Sequence, residues 1–143
     1  MQSPDAIVIG AGIVGASSAL SLTNAGLKVL VIDRGAVSSG TTGAGEGNIL
    51  VSDKDPGPEL TLALRSRDLW FEMQEDVGDT FELEAKGGVV VARNEDGPLL
   101  KLAAEQSEHG VRIQKLDHAS LHELEPYLHP EFHSGVFYPQ DAQ

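Results

Sequence analysis

The feature that most restricts the fold is the junction spanning residues 6 to 15. Ala6 to Gly10 (AIVIG) is a short, wholly apolar, β-branched run that stops at glycine, the pattern of a strand buried on both faces. Gly12 to Asn24 then holds small residues and helix formers, and Ala25-Gly26 supplies a glycine where a helix end wants a left-handed residue. Lys28 to Asp33 (KVLVID) repeats the buried-strand pattern. Two parallel strands joined through a helix make a right-handed βαβ unit, so the fold class is α/β.

Between the first strand and its helix lies Gly10-Ala11-Gly12-Ile13-Val14-Gly15, a G-x-G-x-x-G in the position of the dinucleotide-binding fingerprint. Each glycine has its own duty: Gly10 makes the tight turn, Gly12 lets a pyrophosphate approach the backbone, and Gly15 lets helix and strand pack closely. The amides at the helix start, around Ile13 and Val14, then face the diphosphate with the positive end of the helix dipole behind them. Asp33 closes the second strand 18 positions after Gly15, where a carboxylate can accept hydrogen bonds from the ribose hydroxyls. The same acid argues against NADP, because it would repel a 2′-phosphate. FAD and NAD share this fingerprint, and a glycine-rich turn in a ligand-free α/β domain is the plainer alternative.

Residues 35 to 58 carry Gly35, Gly40, Gly43, Gly45, Gly47 and Gly57 with little helical or strand period, which marks a long loop. Pro58 opens a helix to about Val77, with Leu62, Leu69 and Met73 on one stripe and Ala63, Trp70 and Val77 beside it. Beyond Gly78 the pattern changes. Residues 80 to 85 (TFELEA) alternate as a strand, Lys86-Gly87-Gly88 turns, and Val89 to Ala92 continues as a second strand. Pro98 to His109 reads as a helix closed by Gly110, Val111 to Leu116 as a strand, Ser120 to Glu123 as a capping box, and Gly135 to Pro139 as a last strand. A domain boundary is placed near residue 79.

The loop after Asp33 makes the resemblance specific. Asp33-Arg34 followed by Ser38 to Leu50 (SSGTTGAGEGNIL) resembles the FAD-contacting loop of the D-amino acid oxidase superfamily, in the branch with glycine oxidase, sarcosine oxidase and the flavin subunits of opine and hydroxyproline dehydrogenases. That resemblance implies non-covalent FAD as cofactor, and flavin-proximal roles for Thr41, Thr42, Ala44, Gly45, Gly47 and Asn48. Arg34 joins Gly10, Gly12, Ile13, Val14, Gly15 and Asp33 among the cofactor-binding residues. It further implies a Rossmann-like FAD-binding unit over residues 1–79 and the beginning of a mixed α+β substrate domain over 80–143. The implied activity is oxidation of a small amine or amino acid by hydride transfer to flavin N5. In this family the acid at Asp33 is more often glutamate, and the family's second half, with the later sheet strands and most substrate-binding residues, has no counterpart here.

A parallel sheet must be covered on both faces, yet only two parallel strands and one intervening helix are legible. The sequence therefore predicts a truncated chain, a piece of a longer one, or a subunit completed by another polypeptide. Two further readings stay open: a catalytically inert dinucleotide-binding subunit, and an NAD-dependent dehydrogenase fragment, which the long loop and the Pro58 helix oppose.

Composition narrows the partners. With 22 acidic against 10 basic residues, a net charge of −12 would repel a phosphate backbone, so nucleic acid is excluded as a partner. Only Asp5, Asp33, Glu46, Lys28 and Arg34 are charged in the first 50 residues, so that stretch is close to neutral. The absence of cysteine removes disulfides, thiolate zinc sites and a flavin linked through sulfur, and fits a reducing cytoplasm. No apolar run reaches the roughly 18 residues of a spanning helix. His118 and His122 share a metal-compatible spacing but read as a solvated face, as does the acidic run Glu72, Glu75, Asp76 and Asp79. His129 and His133 have Pro130 between them, and the loop at Asp53 lacks the glycine and glutamate of a calcium site. No metal site is expected, and Trp70 reads as core.

Overall fold

The computed structural model describes residues 3–93 and 95–143. They fall into two compact units, one ending at Glu46 and one spanning Gly47–Gln143. The helix from Pro58, grouped by sequence with the N-terminal part, belongs to the second unit because its buried side chains pack there.

The first unit is β1 (Ala6–Ile9), α1 (Ile13–Asn24) and β2 (Val29–Ile32), with β1 and β2 parallel and Ala6 to Ile9 in register with Val29 to Ile32. The end of α1 is built as its sequence requires. Gly26 takes φ +88°, its amide donates to Thr23 O at 2.9 Å, and Leu27 N donates to Leu22 O at 3.1 Å. These are the paired bonds that close a helix on a left-handed glycine. The expected burial of both strand faces is not met among the described residues. Ile9 is 84% exposed and Ile7 58%, and Leu30, Val31 and Ile32 are exposed as well. The hydrophobic pattern is that of a covered sheet, and the described chain does not supply the cover.

The second unit holds α2 (Pro58–Val77), β3 (Gly88–Val91), α3 (Gly97–Glu108), β4 (Gln114–Leu116), α4 (His118–Leu124) and β5 (Gly135–Tyr138). The last strand is central: the sheet order is β3-β5-β4, with both pairings antiparallel. Its core gathers Val51, Leu60, Ala103, Val111, Val136 and Tyr138, with Ala63 and Leu64 of α2 packed against it. The buried stripe of α2 is thus Leu60, Ala63 and Leu64. Leu62 and Leu69, expected to share a buried stripe, are exposed, a second apolar face without a mate among the described residues. Trp70 is half-buried, its ring centroid 5.5 Å from that of Phe81.

Two local expectations are corrected. Residues 80 to 85 do not form a sheet strand, since Glu82 sits at φ +52°, a left-handed conformation that breaks the pleat. The segment is held instead through Glu84, whose amide donates to Gln143 O at 2.7 Å while its carbonyl accepts from Gln143 N at 3.0 Å. The helix near residue 120 starts earlier than expected. Asp117 is its N-cap, accepting from Ser120 N at 2.9 Å, and Ser120 Oγ accepts from Asp117 N at 3.1 Å. The capping box is therefore Asp117 with Ser120 rather than Ser120 with Glu123, because an aspartate caps as well as a serine and lies where the chain is still extended.

Candidate functional site

In the first unit the three fingerprint glycines are required for three separable reasons. Gly10 takes φ +108° with open space around its α-carbon, so its requirement is conformational. A Cβ on Gly15 would lie 1.9 Å from the Gly10 carbonyl oxygen, so its requirement is the contact of α1 with the end of β1. Gly12 has an ordinary backbone, φ −80° and ψ −178°, and a Cβ there would meet Thr42 Oγ1 at 2.9 Å. Its requirement is therefore room in front of the backbone.

The loop after β2 folds back onto this turn. Ala11 N donates to Asp33 Oδ2 at 2.7 Å, Ser38 N donates to Ala11 O at 3.1 Å, and Ile13 N donates to Thr42 Oγ1 at 3.0 Å. The last bond places a hydroxyl oxygen at the start of α1, where the first amides of a helix need an outside acceptor. A diphosphate oxygen meets the same need with a full charge. Two clefts share Gly12 and Thr42. One, of about 420 Å³, is lined by Gly10, Gly12, Ile13, Val14, Gly15 and Thr42 together with Val8, Ile9 and Ser18. The other, of about 350 Å³, is lined by Gly12, Asp33, Arg34, Thr41 and Thr42 with Gly35, Ser38, Ser39 and Gly40. The residues present fit a dinucleotide: glycine where bulk would intrude, helix amides at the turn, and a carboxylate beside it.

Asp33 stays ionised in this setting. The amide of Ala11, and after it those of Gly35 and Arg34, holds its carboxyl below the ordinary value of 3.8. Asp33 Oδ1 accepts from Gly35 N at 2.8 Å, and each carboxylate oxygen keeps a second acceptor position for a ribose hydroxyl. Because the folded pKa lies below the unfolded one, these bonds stabilise the turn above the ordinary carboxylate range and are lost as pH falls through the lowered value. Cofactor release on acidification is expected to follow that titration. Asp33→Asn is expected to weaken retention at neutral pH and to flatten the acid limb. Retention of a bound dinucleotide against pH checks both, and an unchanged limb in the variant would remove Asp33 from the role.

The 13 sequence candidates divide between the units. Gly10, Gly12, Ile13, Val14, Gly15, Asp33, Arg34, Thr41 and Thr42 line the two clefts of the first unit. Ala44 ends the short 3-10 turn Thr41–Ala44, and Gly45 follows as its cap without lining either cleft. Gly47 and Asn48 lie in the second unit. There Gly47, at φ +76°, lines a cleft of about 680 Å³ with Phe81, Glu82 and Glu84, and Asn48 lines one of about 280 Å³ with Lys54 and Trp70. Sequence reasoning did not single out Ser38, which adopts φ +60° and ties the loop to Ala11. A left-handed serine has no sequence signature, although Ser38 lies within the quoted loop. His118 gathers with His122 and His133, ring centroids 4.5 and 5.2 Å away. Among the described residues, no three His, Cys, Asp or Glu side chains are arranged to hold a metal, and no helix is long and apolar enough to cross a membrane.

The family model described as "FAD dependent oxidoreductase" (DAO) matches residues 5–143. Glycine oxidase of Bacillus licheniformis is 36% identical over 118 residues, which cover 79% of this chain and 30% of that protein. Monomeric sarcosine oxidase of Bacillus sp. (strain B-0618) is 28% identical over 96% of this chain and 36% of its own length. The crystal structure of L-proline dehydrogenase from P. horikoshii superposes with a TM-score of 0.86 at 26% identity, covering 99% of this chain and 38% of that one. The chain thus spans less than two-fifths of the length of each of these three relatives.

Proposed function

The chain belongs to the DAO family of FAD-dependent oxidoreductases, and from that membership we propose that it supplies the cofactor-binding start of a flavoenzyme oxidising a small amine or amino acid. The observation that carries this reading is the Gly10–Gly15 turn, where a left-handed glycine, a close helix–strand contact and a bare α-carbon open the start of α1 to an anion. When bound, FAD would supply the two-electron acceptor for hydride transfer from the α-carbon of the amine.

The share of this chain is binding and orientation. The amide of Val14, and that of Ile13 once a diphosphate oxygen displaces Thr42 Oγ1 from it, would hold the diphosphate with the α1 dipole behind them. Asp33 accepts from the ribose hydroxyls, with Arg34 at the same cleft. Thr41, Thr42, Ala44 and Gly45 of the same unit would approach the cofactor through their backbone and orient it. In this reading residues 1–79 would serve as the FAD-binding part and 80–143 would open the substrate domain, with α2 packed in the second unit as described above. Further polypeptide, of the same protein or of a partner subunit, covers β1 and β2. The exposure of Ile7, Ile9 and Ile32 supports that reading.

The test is the visible spectrum of the full-length protein purified with FAD. A yellow protein whose flavin absorbance bleaches anaerobically on adding glycine, sarcosine or proline is expected. A folded protein that takes up no FAD would overturn the proposal.

A further inference from the structure

Helix α1 begins on Gly12, which has no side chain with which to cap it. Its first amide, Ile13 N, instead donates to Thr42 Oγ1 at 3.0 Å, an acceptor 29 positions along the chain. The same oxygen stands 2.9 Å from where a Cβ on Gly12 would lie, so it fills the approach to the bare α-carbon. The loop that carries it is set by contacts other than this bond. Ser38 N donates to Ala11 O at 3.1 Å, and the 3-10 turn Thr41–Ala44 lies so close to Ser38 that a Cβ on Gly43 would fall 2.3 Å from the Ser38 carbonyl oxygen. Thr42 is itself exposed, so its hydroxyl can leave Ile13 N by rotation about χ1 with the backbone in place.

One amide hydrogen serves one strong acceptor, and the start of a helix needs that acceptor from outside. A threonine hydroxyl and a diphosphate oxygen therefore exclude one another at Ile13 N. The charged oxygen makes the stronger bond, but its net gain is reduced by the bond it breaks. We propose that the Thr42 side chain is an internal latch on the diphosphate site, capping α1 in the diphosphate's stead and rotating away as the cofactor binds. The inference rests on the reading above that the Gly10–Gly15 turn takes a dinucleotide. It gives the Thr42 hydroxyl a role opposite to that of a ligand: the loop backbone serves the cofactor while the hydroxyl opposes it. The latch keeps the turn formed, with its amide satisfied, and lowers affinity in doing so.

The experiment uses the full-length protein freed of FAD, with FAD and ADP as probes, since ADP carries the diphosphate without the flavin. Thr42→Ala removes the hydroxyl and Thr42→Ser keeps it. Thr42→Ala is expected to speed amide hydrogen exchange at Ile13 by at least about tenfold. It is also expected to tighten binding of both probes by about two- to tenfold, the worth of one net hydrogen bond. Thr42→Ser is expected to match wild type in both readings. Thr42→Val, which loses the hydroxyl and keeps the bulk, is expected to act in the direction of Thr42→Ala and decides the matter should that variant not fold. Bound ADP is expected to protect Ile13 equally in every variant. Weaker or unchanged binding of FAD and ADP by Thr42→Ala would overturn the inference and leave the dinucleotide reading intact, as would unchanged exchange at Ile13. Wild-type protein that binds neither probe would overturn both together.

Discussion

Gly12→Val is expected to abolish FAD retention while leaving the secondary structure intact. The backbone at Gly12 is ordinary, φ −80° and ψ −178°, so valine meets no conformational penalty there. Its branched side chain instead enters the space in front of the turn, where a Cβ already comes within 2.9 Å of Thr42 Oγ1. That space is the approach a diphosphate needs to reach the amides of α1. A loss of at least about a hundredfold in affinity, about 2.8 kcal/mol, is expected by fluorescence titration, with circular dichroism unchanged. Adding Thr42→Ala relieves the side-chain clash and is not expected to restore binding. Restoration would show that the damage came from Thr42 and not from a blocked cofactor.

Gly15→Val is expected to act on the fold itself. A Cβ at Gly15 falls 1.9 Å from Gly10 O and 3.4 Å from Val8 Cγ1, and a carbonyl of the tight turn cannot rotate away as a side chain can. Helix α1 must lift off β1, and the two-stranded sheet keeps no other α-helix among the described residues of its own unit. A destabilisation above about 4 kcal/mol is expected, in the range reserved for lost core packing. Hydrogen exchange across Ala6–Ile9 and a lowered melting temperature check it. Native exchange rates in the variant would show that the helix can be displaced cheaply.

The same two glycines show how far the sequence can be read. Their spacing marks the turn because a glycine is needed wherever backbone meets backbone or ligand, and that need is local. Strand β1, helix α1 and its glycine end, strand β2 and the start of α2 at Pro58 are legible for the same reason: each is written in residues next to one another. Glu82 is not. It takes a left-handed conformation that its residue type disfavours, so an alternating TFELEA that reads as a strand is interrupted by its surroundings. The start of α4 slips because Asp117 and Ser120 both cap well, and only the extended backbone at Asp117 decides between them. Gln106 and Asp141 leave no trace in hydrophobic period, since burial of a polar residue depends on a partner 52 to 55 positions away for Gln106 and 89 or 90 for Asp141. The outward stripe at Leu62 and Leu69 is hydrophobic in the sequence and exposed in the fold. Periodicity reports that a face is meant to be covered, not by what.

The bare strands of the first unit bear on how such a polypeptide is born. With Ile7, Ile9, Leu30 and Ile32 all open, and only two strands to hold one another, β1 and β2 are too small a sheet to persist unaided in water. They leave the ribosome ahead of the segment from Gly47 onward, which builds a core of its own. Nascent chains of this kind should lean on chaperones while these strands are out and the later segment is not, and slowing synthesis downstream of residue 46 should raise the fraction that aggregates.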